Sequence, residues 1–130
     1  MTKKEYIEFW LTGSDKNWKE VHVMVKSKLY VNALFWAHLV LEKLCKAHWV
    51  KDNKDNYPPR IHNLNKITAQ TKVELSDKEL AFCADMNKFS LEGRYPDYVS
   101  NIYKIVTKPY TVKYIKQCEQ IRKKLLSQLQ

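Results

Sequence analysis

The spacing of hydrophobic residues predicts helices along most of the chain. Apolar residues recur every three to four positions, as they do on the buried face of an α-helix. The richest stretch, NALFWAHLVLEKLCKAHWV, is apolar on more than one side of a helix. We therefore expect residues 31–50 to form the central helix, covered by neighbours on several faces.

The first 28 residues show the pattern of two shorter helices. Thr2 and Glu5 have the spacing of a capping box, an apolar run follows, and Gly13 supplies a helix stop. Ser14-Asp15 can cap the next helix, whose apolar positions continue to about residue 28. The pattern thus predicts a break in the helix at Gly13.

The segment KDNKDNYPPR is polar and ends in two prolines, which cannot continue a helix, so a loop is expected there. Three further helices follow it in the pattern. Their predicted starts are His62 or Asn63, the Ser76-Glu79 capping box, and Thr107 ahead of Pro109; Gly93 ends the second of them. Five or six helices with short connections predict an all-α fold, an antiparallel up-and-down bundle, in one domain over residues 1–130.

The cysteines occupy apolar positions of the helical pattern. Cys45, Cys83 and Cys118 are odd in number and form no CxxC pair. Reduced thiols in the core are expected, with a catalytic thiol or a metal ligand as the alternative. Zinc-type spacing and Gly-rich phosphate loops are absent from the sequence, so no metal and no cofactor is predicted.

The N-terminal sequence MTKKEYIEFWLTGSDK has charges on both sides of a very short apolar run, unlike a signal peptide. No stretch approaches the length of apolar sequence that crosses a membrane. We expect a soluble, cytoplasmic protein without a membrane partner.

The net charge of +9 is concentrated near the C-terminus, where residues 103–130 hold seven basic residues and one acidic residue. Such a segment suggests a polyanionic partner, namely nucleic acid, nucleotide phosphates or an acidic protein. The alternative is a solvated helix face that binds nothing.

One group of polar residues stands out on the central helix. His38, Glu42 and Lys46 follow one another at i, i+4 and i+8, so they share one face of the most apolar helix. This stripe is either the solvent-facing side of the helix, or a polar groove or self-association face.

Two other groups have the chemistry to bind nucleotides. Arg60 and His62 precede a helix start, where an arginine, an imidazole and backbone amides suit a phosphate, although a polar residue there can simply be a cap. Arg94, with Tyr95 or Tyr98, can hold a base by stacking and a phosphate by charge. The alternative is that Arg94 only pairs with a neighbouring carboxylate.

Taken in order, NALFWAHLVLEKLCKAHWV, YPPRIHNLNKI and LEGRYPDY resemble the HEPN domain family, named for its occurrence in higher eukaryotes and prokaryotes and for nucleotide binding. The resemblance implies a helical bundle, often dimeric. Many bacterial members act beside a minimal nucleotidyltransferase, some of them as toxins. Catalytic members are metal-independent ribonucleases with an arginine, four to six residues, and a histidine.

The catalytic pattern of the family is incomplete here. Arg94 matches the arginine, but Val99, Ser100 and Asn101 occupy the histidine positions, and His62 is only two residues after Arg60. An arginine alone can stabilise negative charge, but it cannot carry out the proton transfers that RNA cleavage requires. No catalytic residue is therefore predicted.

The resemblance implies one polar cleft in this chain. The residues it assigns to the cleft are Glu42, Lys46, His62, Arg94 and Tyr95, and the loop pattern adds Arg60 to the predicted ligand-binding residues. The predicted function is a non-catalytic, homodimeric binding module for nucleotide or RNA, paired in some settings with a nucleotidyltransferase. The alternatives are a divergent ribonuclease toxin with His62 brought near Arg94, and a pure protein-interaction subunit.

Overall fold

The structure, a computed structural model, describes residues 1–90 and 96–129, with only the helical backbone for residues 96–100. Within these residues all regular structure is helical, which confirms the predicted all-α bundle. The helices are α1 (Lys3–Lys26), α2 (Tyr30–Asp52), α3 (Leu64–Thr68), α4 (Asp77–Met86), a 3₁₀-helix (Asn87–Ser90), α5 (Pro96–Ile105) and α6 (Lys108–Ser127).

Helix α2 is the centre of the fold, as its sequence predicts. Helix α1 packs along it, and α3, α6 and the 3₁₀-helix pack against its other sides. Fifteen of its 23 residues are consequently buried. Burial on several sides explains why the sequence of α2 shows no single apolar face.

The predicted break at Gly13 is wrong, because α1 continues through this residue. Ser14 is buried and its hydroxyl donates to the Leu11 carbonyl instead of capping a new helix. Beyond it, Trp18 and Val21 are buried as well. Burial along the whole helix outweighs the cost of an internal glycine, about 1 kcal/mol.

Helix α1 ends at its connection to α2, and not at Gly13 as predicted. Lys28 has a left-handed backbone with φ 62°. The amide of Lys28 donates to the Val25 carbonyl, and the amide of Leu29 donates to the Met24 carbonyl. This is the hydrogen-bond pattern of a Schellman motif, with lysine at the position that glycine usually occupies.

The remaining predicted helix starts are confirmed. Side chains of four residues cap them, namely Thr2, Asn63, Ser76 and Thr107, and the first and third belong to complete capping boxes. The predicted stop at Gly93 lies outside the described residues. The pattern of apolar residues did not predict α5 as a separate helix. Pro96 in its first position could have indicated its start.

All three cysteines are free and buried, as predicted. Burial raises the pKa of Cys83 to about 11 and raises the pKa values of Cys45 and Cys118 further. These thiols therefore stay protonated and pack as small apolar groups. Among the described helices, none is both long and apolar enough to span a bilayer.

Candidate functional site

The polar stripe of α2 is buried, so the interpretation as a solvent-facing side is wrong. His38, Glu42 and Lys46 are 2%, 5% and 6% exposed. Helix α1 covers the stripe at Lys46, and the residues before α3 cover it at Glu42. Burying an ion pair costs several kcal/mol of desolvation per charge, so this stripe needs internal partners.

Glu42 is the centre of these partners. Lys46 Nζ donates to Glu42 Oε2 at 3.0 Å, and His62 Nδ1 lies 3.0 Å from Glu42 Oε1. His38 Nδ1 is further away, 3.9 Å from the same Oε1 atom. Lys46 Nζ also lies 5.4 Å from the ring centroid of Trp10 in α1, within cation–π range. Both carboxylate oxygens of Glu42 are therefore compensated.

His62 connects the buried carboxylate to the surface. It lies directly before Asn63, the N-cap of α3, and its side chain is 55% exposed. A carboxylate can only accept a hydrogen bond, so the Nδ1–H group of His62 donates to Glu42. Among the described residues Nε2 of His62 has no partner. In the neutral ring, Nε2 is then a hydrogen-bond acceptor available to a ligand.

His38 holds the neighbouring elements in place. Its Nε2 is 3.3 Å from Asn87 Oδ1, which also accepts the backbone N–H of Leu64 at 2.9 Å. The backbone donor identifies this atom of Asn87 as oxygen, so His38 donates through Nε2. Burial lowers the pKa of His38 although Glu42 acts in the opposite direction. A neutral His38 thus joins α2 to α3 and the 3₁₀-helix.

A pocket of about 240 Å³ opens beside Glu42 and His62. Its walls combine apolar and aromatic side chains with a few polar groups, contributed by α2, His62 and the 3₁₀-helix. The lining residues are Phe35, Trp36, His38, Leu39, Glu42, His62, Phe89 and Ser90. An aromatic pocket with a few convergent polar groups is the usual form of a small-molecule site.

The structure brings three of the six predicted site residues together: Glu42, Lys46 and His62. Arg60 is exposed and forms no hydrogen bond or ion pair within the described residues. Arg94 and Tyr95 lie outside them. The pocket adds Trp36 and Phe89, which the helical pattern marks only as apolar positions.

The start of α3 offers few free amides to an anion. The backbone N–H of Leu64 donates to Asn87, and that of Lys66 donates to the side chain of Asn63. A phosphate at this position would therefore rely on side chains. In the part of the chain that the structure describes, no group of three or more His, Cys, Asp or Glu side chains can hold a metal ion.

Comparison with known proteins agrees with this fold. The family profile described as the HEPN domain matches residues 7–128, which is nearly the whole chain. Neither the curated proteins nor the solved structures gave a match. On the strength of the family match, this helical chain belongs to the HEPN domain family.

Proposed function

We propose that this protein binds a nucleotide or single-stranded RNA, with a base in the pocket beside Glu42 and His62. The observation that carries the proposal is the Glu42–His62 hydrogen bond at an aromatic-lined pocket. Membership of a family named for nucleotide binding supports the same class of ligand.

The size of the pocket favours one part of a nucleotide. Pockets for drug-sized ligands usually measure about 300–1,000 Å³, and this one is smaller, at about 240 Å³. Its walls include Phe35, Trp36 and Phe89. Aromatic side chains hold bases by stacking, at about 1–3 kcal/mol per base. One base can enter while the sugar and phosphate stay at the surface.

The polar groups suit the rest of the ligand. His62 Nε2 can accept a hydrogen bond from a ribose hydroxyl, because Glu42 holds the proton of the ring on Nδ1. Arg60 is exposed and two residues away in sequence, and we assign its guanidinium to the phosphate of the ligand. Neither contact requires the amides of α3.

The test is a calorimetric titration at low ionic strength with the four nucleoside monophosphates and a short single-stranded RNA. The His62→Ala variant should weaken binding about tenfold, the loss of one good polar contact. His22→Ala is the matched control, because His22 is also exposed but lies on α1. Absence of heat with every ligand, or equal loss in both variants, would contradict the proposal.

A second candidate function is that of a toxin with divergent, metal-independent ribonuclease activity. The orientation of His62 favours this candidate. The neutral Nε2 of His62 can take the proton of a 2′-hydroxyl. The 2′-oxygen then bonds to phosphorus, the bond to the 5′-oxygen breaks, and that oxygen takes a proton from water or from the imidazolium. Products would be a 2′,3′-cyclic phosphate and a 5′-hydroxyl.

This candidate is tested by incubating the purified protein with labelled RNA in the presence of a chelator. If the protein cleaves RNA, and His62→Ala abolishes cleavage while His22→Ala preserves it, the protein is an enzyme and the proposal of a non-catalytic binding module is wrong. DNA of the same sequence is the substrate control, since it lacks the 2′-hydroxyl. Intact RNA at every protein concentration would rule out this second candidate.

We also propose a homodimer and a nucleotidyltransferase partner, on the basis of the family alone. The three free core thiols fit a reducing compartment such as the cytoplasm. Co-expression of this chain with a nucleotidyltransferase encoded next to it, followed by purification on one tag, tests the partner. Recovery of this chain alone would contradict that pairing and favour a stand-alone protein.

A further inference from the structure

Several polar side chains that line the proposed base pocket use their hydrogen-bond donors inside the protein. Trp36 Nε1 donates to Glu20 at 3.2 Å, and the Ser90 hydroxyl donates to the Asn87 carbonyl at 2.8 Å. The neutral ring of His62 has one N–H group, which donates to the buried carboxylate at 3.0 Å. None of these three side chains keeps a free donor for a ligand.

His38 also has its donor occupied, because a chain of amide side chains fixes its orientation. Asn65 Nδ2 donates to the Leu80 carbonyl at 2.9 Å, so Asn65 Oδ1 is the atom that accepts from Asn87 Nδ2, at 3.1 Å. Asn87 Oδ1 therefore faces His38 Nε2, at 3.3 Å, and this nitrogen carries the ring proton. Burial lowers the pKa of His38, which favours the neutral ring. His38 Nδ1 is then an acceptor with a lone pair.

His38 Nδ1 and the Glu42 carboxylate are two acceptors that lie side by side. The distance from Nδ1 to Glu42 Oε1 is 3.9 Å, which is beyond hydrogen-bond length. A carboxylate oxygen has two lone pairs, and Oε1 uses one of them for His62. His38 and Glu42 are 2% and 5% exposed, and both line the pocket. Two buried acceptors at the pocket wall therefore have no shared donor among the described residues.

We propose that the pocket selects bases with an exocyclic amino group, such as cytosine and adenine, and that this group donates one hydrogen to His38 Nδ1 and the other to Glu42 Oε1. One nitrogen can lie about 2.9 Å from both atoms, a normal hydrogen-bond length, because the atoms are less than twice that distance apart. Uracil and hypoxanthine carry an oxo group at the equivalent position, where its lone pairs would face two acceptors. This inference rests on the proposed function, since a base must enter the pocket.

The surroundings of the two acceptors prevent the site from adapting to an oxo group. His38 Nε2 is held by Asn87, and an ionised carboxylate has no proton to donate. The nearby Lys46 ammonium donates to the other carboxylate oxygen, Glu42 Oε2, at 3.0 Å. A site that hydrogen-bonds one group of a ligand rejects the analogue that lacks it, because buried polar atoms are then left unpaired. We therefore expect discrimination of at least about tenfold.

The test compares two pairs of nucleotides by calorimetric titration of the wild-type protein at low ionic strength. Cytidine and uridine monophosphates differ in an amino or oxo group on a pyrimidine, and adenosine and inosine monophosphates differ in the same way on a purine. Each amino nucleotide should bind at least about tenfold more tightly than its oxo counterpart. Equal affinities within each pair that binds would overturn this inference and leave nucleotide binding intact. Absence of heat with all four nucleotides would contradict the proposed function as well.

His38→Phe tests the assignment of the acceptor. Phenylalanine retains a planar ring and removes Nδ1, so the ratio of cytidine to uridine monophosphate affinity should fall at least about threefold. His48→Phe is the matched control and should keep the ratio, because His48 is also buried on α2 but donates to the Leu125 carbonyl at 2.7 Å. The ratio is the readout, since a general loss of packing weakens both ligands alike.

A His38→Phe variant that is folded by circular dichroism and keeps the wild-type ratio would overturn the role of His38. If the variant does not fold, the two nucleotide pairs with the wild-type protein decide the question of selection by themselves.

Discussion

The Lys46 ammonium lies 3.0 Å from the Glu42 carboxylate, although only 8% and 7% of the two side chains remain exposed. Both residues belong to α2, one turn apart, in the order that favours pairing. His62 and Trp10 complete the surroundings from the loop and from α1. Such a pair is poor evidence of stability, because well-packed apolar residues often replace it without loss. Its position beside the pocket fits a role in holding His62.

Removing one member of this pair should destabilise the fold. Lys46→Met leaves the Glu42 carboxylate buried with only an imidazole to compensate it, and the expected loss is about 3 kcal/mol of unfolding free energy. Urea denaturation measures the change. The control is Lys123→Met, which breaks a pair of the same i, i+4 spacing with Glu119 where the lysine side chain is 72% exposed. Its expected effect is below about 1 kcal/mol. Equal losses would contradict the prediction.

Removing both members should recover most of the stability while releasing His62. The Glu42→Leu, Lys46→Met double variant buries no unpaired charge. We therefore expect its free energy of unfolding to lie within about 1–2 kcal/mol of the wild-type value. Without an acceptor, His62 Nδ1 loses its fixed orientation. Nucleotide affinity should therefore fall about as far as in His62→Ala, by roughly tenfold. A folded double variant with unchanged affinity would show that Glu42 does not position the imidazole.

The free energy of unfolding should decrease as the pH is lowered, because two buried histidines are harder to protonate in the folded protein than in the unfolded chain. Burial lowers the pKa of His38 and of His48 below the usual value of about 6.5 that they regain on unfolding. The unfolded chain then binds more protons, so the contribution is complete above about pH 6.5 and is lost as the pH falls through the folded-state pKa values. Denaturation with urea between neutral and mildly acidic pH measures the slope.

Variants identify the histidines responsible for this slope. His38→Gln keeps a donor for Asn87 and should remove part of the pH dependence, and His48→Gln should remove another part. His22→Gln changes an exposed histidine and should leave the slope as it is. An unaltered slope in both buried-site variants would mean that other groups cause the loss of stability.

Lys28→Gly should stabilise the protein. The left-handed backbone of Lys28 is strained for a residue with a side chain and relaxed for glycine. Part of the gain is offset by the greater freedom of glycine in the unfolded chain, so the expected increase is about 0.5–1 kcal/mol. Lys28→Ala is the control, because it removes the charge and keeps the strain. Thermal unfolding should separate the two variants, and equal midpoints would refute the backbone explanation.

The side chain of Lys43 should reduce the stability that the protein gains when alanine replaces Gly13. A Cβ atom at Gly13 would lie 3.2 Å from Lys43 Nζ, which is held by a 2.6 Å hydrogen bond to Asn17. Gly13→Ala should therefore gain less than the roughly 1 kcal/mol of helix propensity in the wild type. The full gain should appear in a Lys43→Ala background. Equal effects in both backgrounds, measured by urea denaturation, would show that no contact couples the two positions.

The pattern of apolar residues determined the class of fold and most of the helices. The caps at Thr2, Asn63, Ser76 and Thr107 could be predicted because each depends on side chains within three residues of the helix start. The central position of α2 followed from the apolar residues on more than one of its sides. The buried thiols followed from their apolar neighbours. These features depend on local sequence, so no tertiary information was needed.

Tertiary structure decided whether Gly13 ends a helix and whether the stripe at Glu42 faces solvent. A glycine carries a small local cost, and packing against α2 along the rest of α1 outweighs it. A polar residue on an apolar helix can be exposed, or buried with a partner from elsewhere, and spacing along α2 cannot distinguish the two. Only the chain reversal before α3 brings His62 to Glu42, across 20 residues of sequence. The sequence therefore supplied the candidate polar side chains, and long-range packing determined which of them meet.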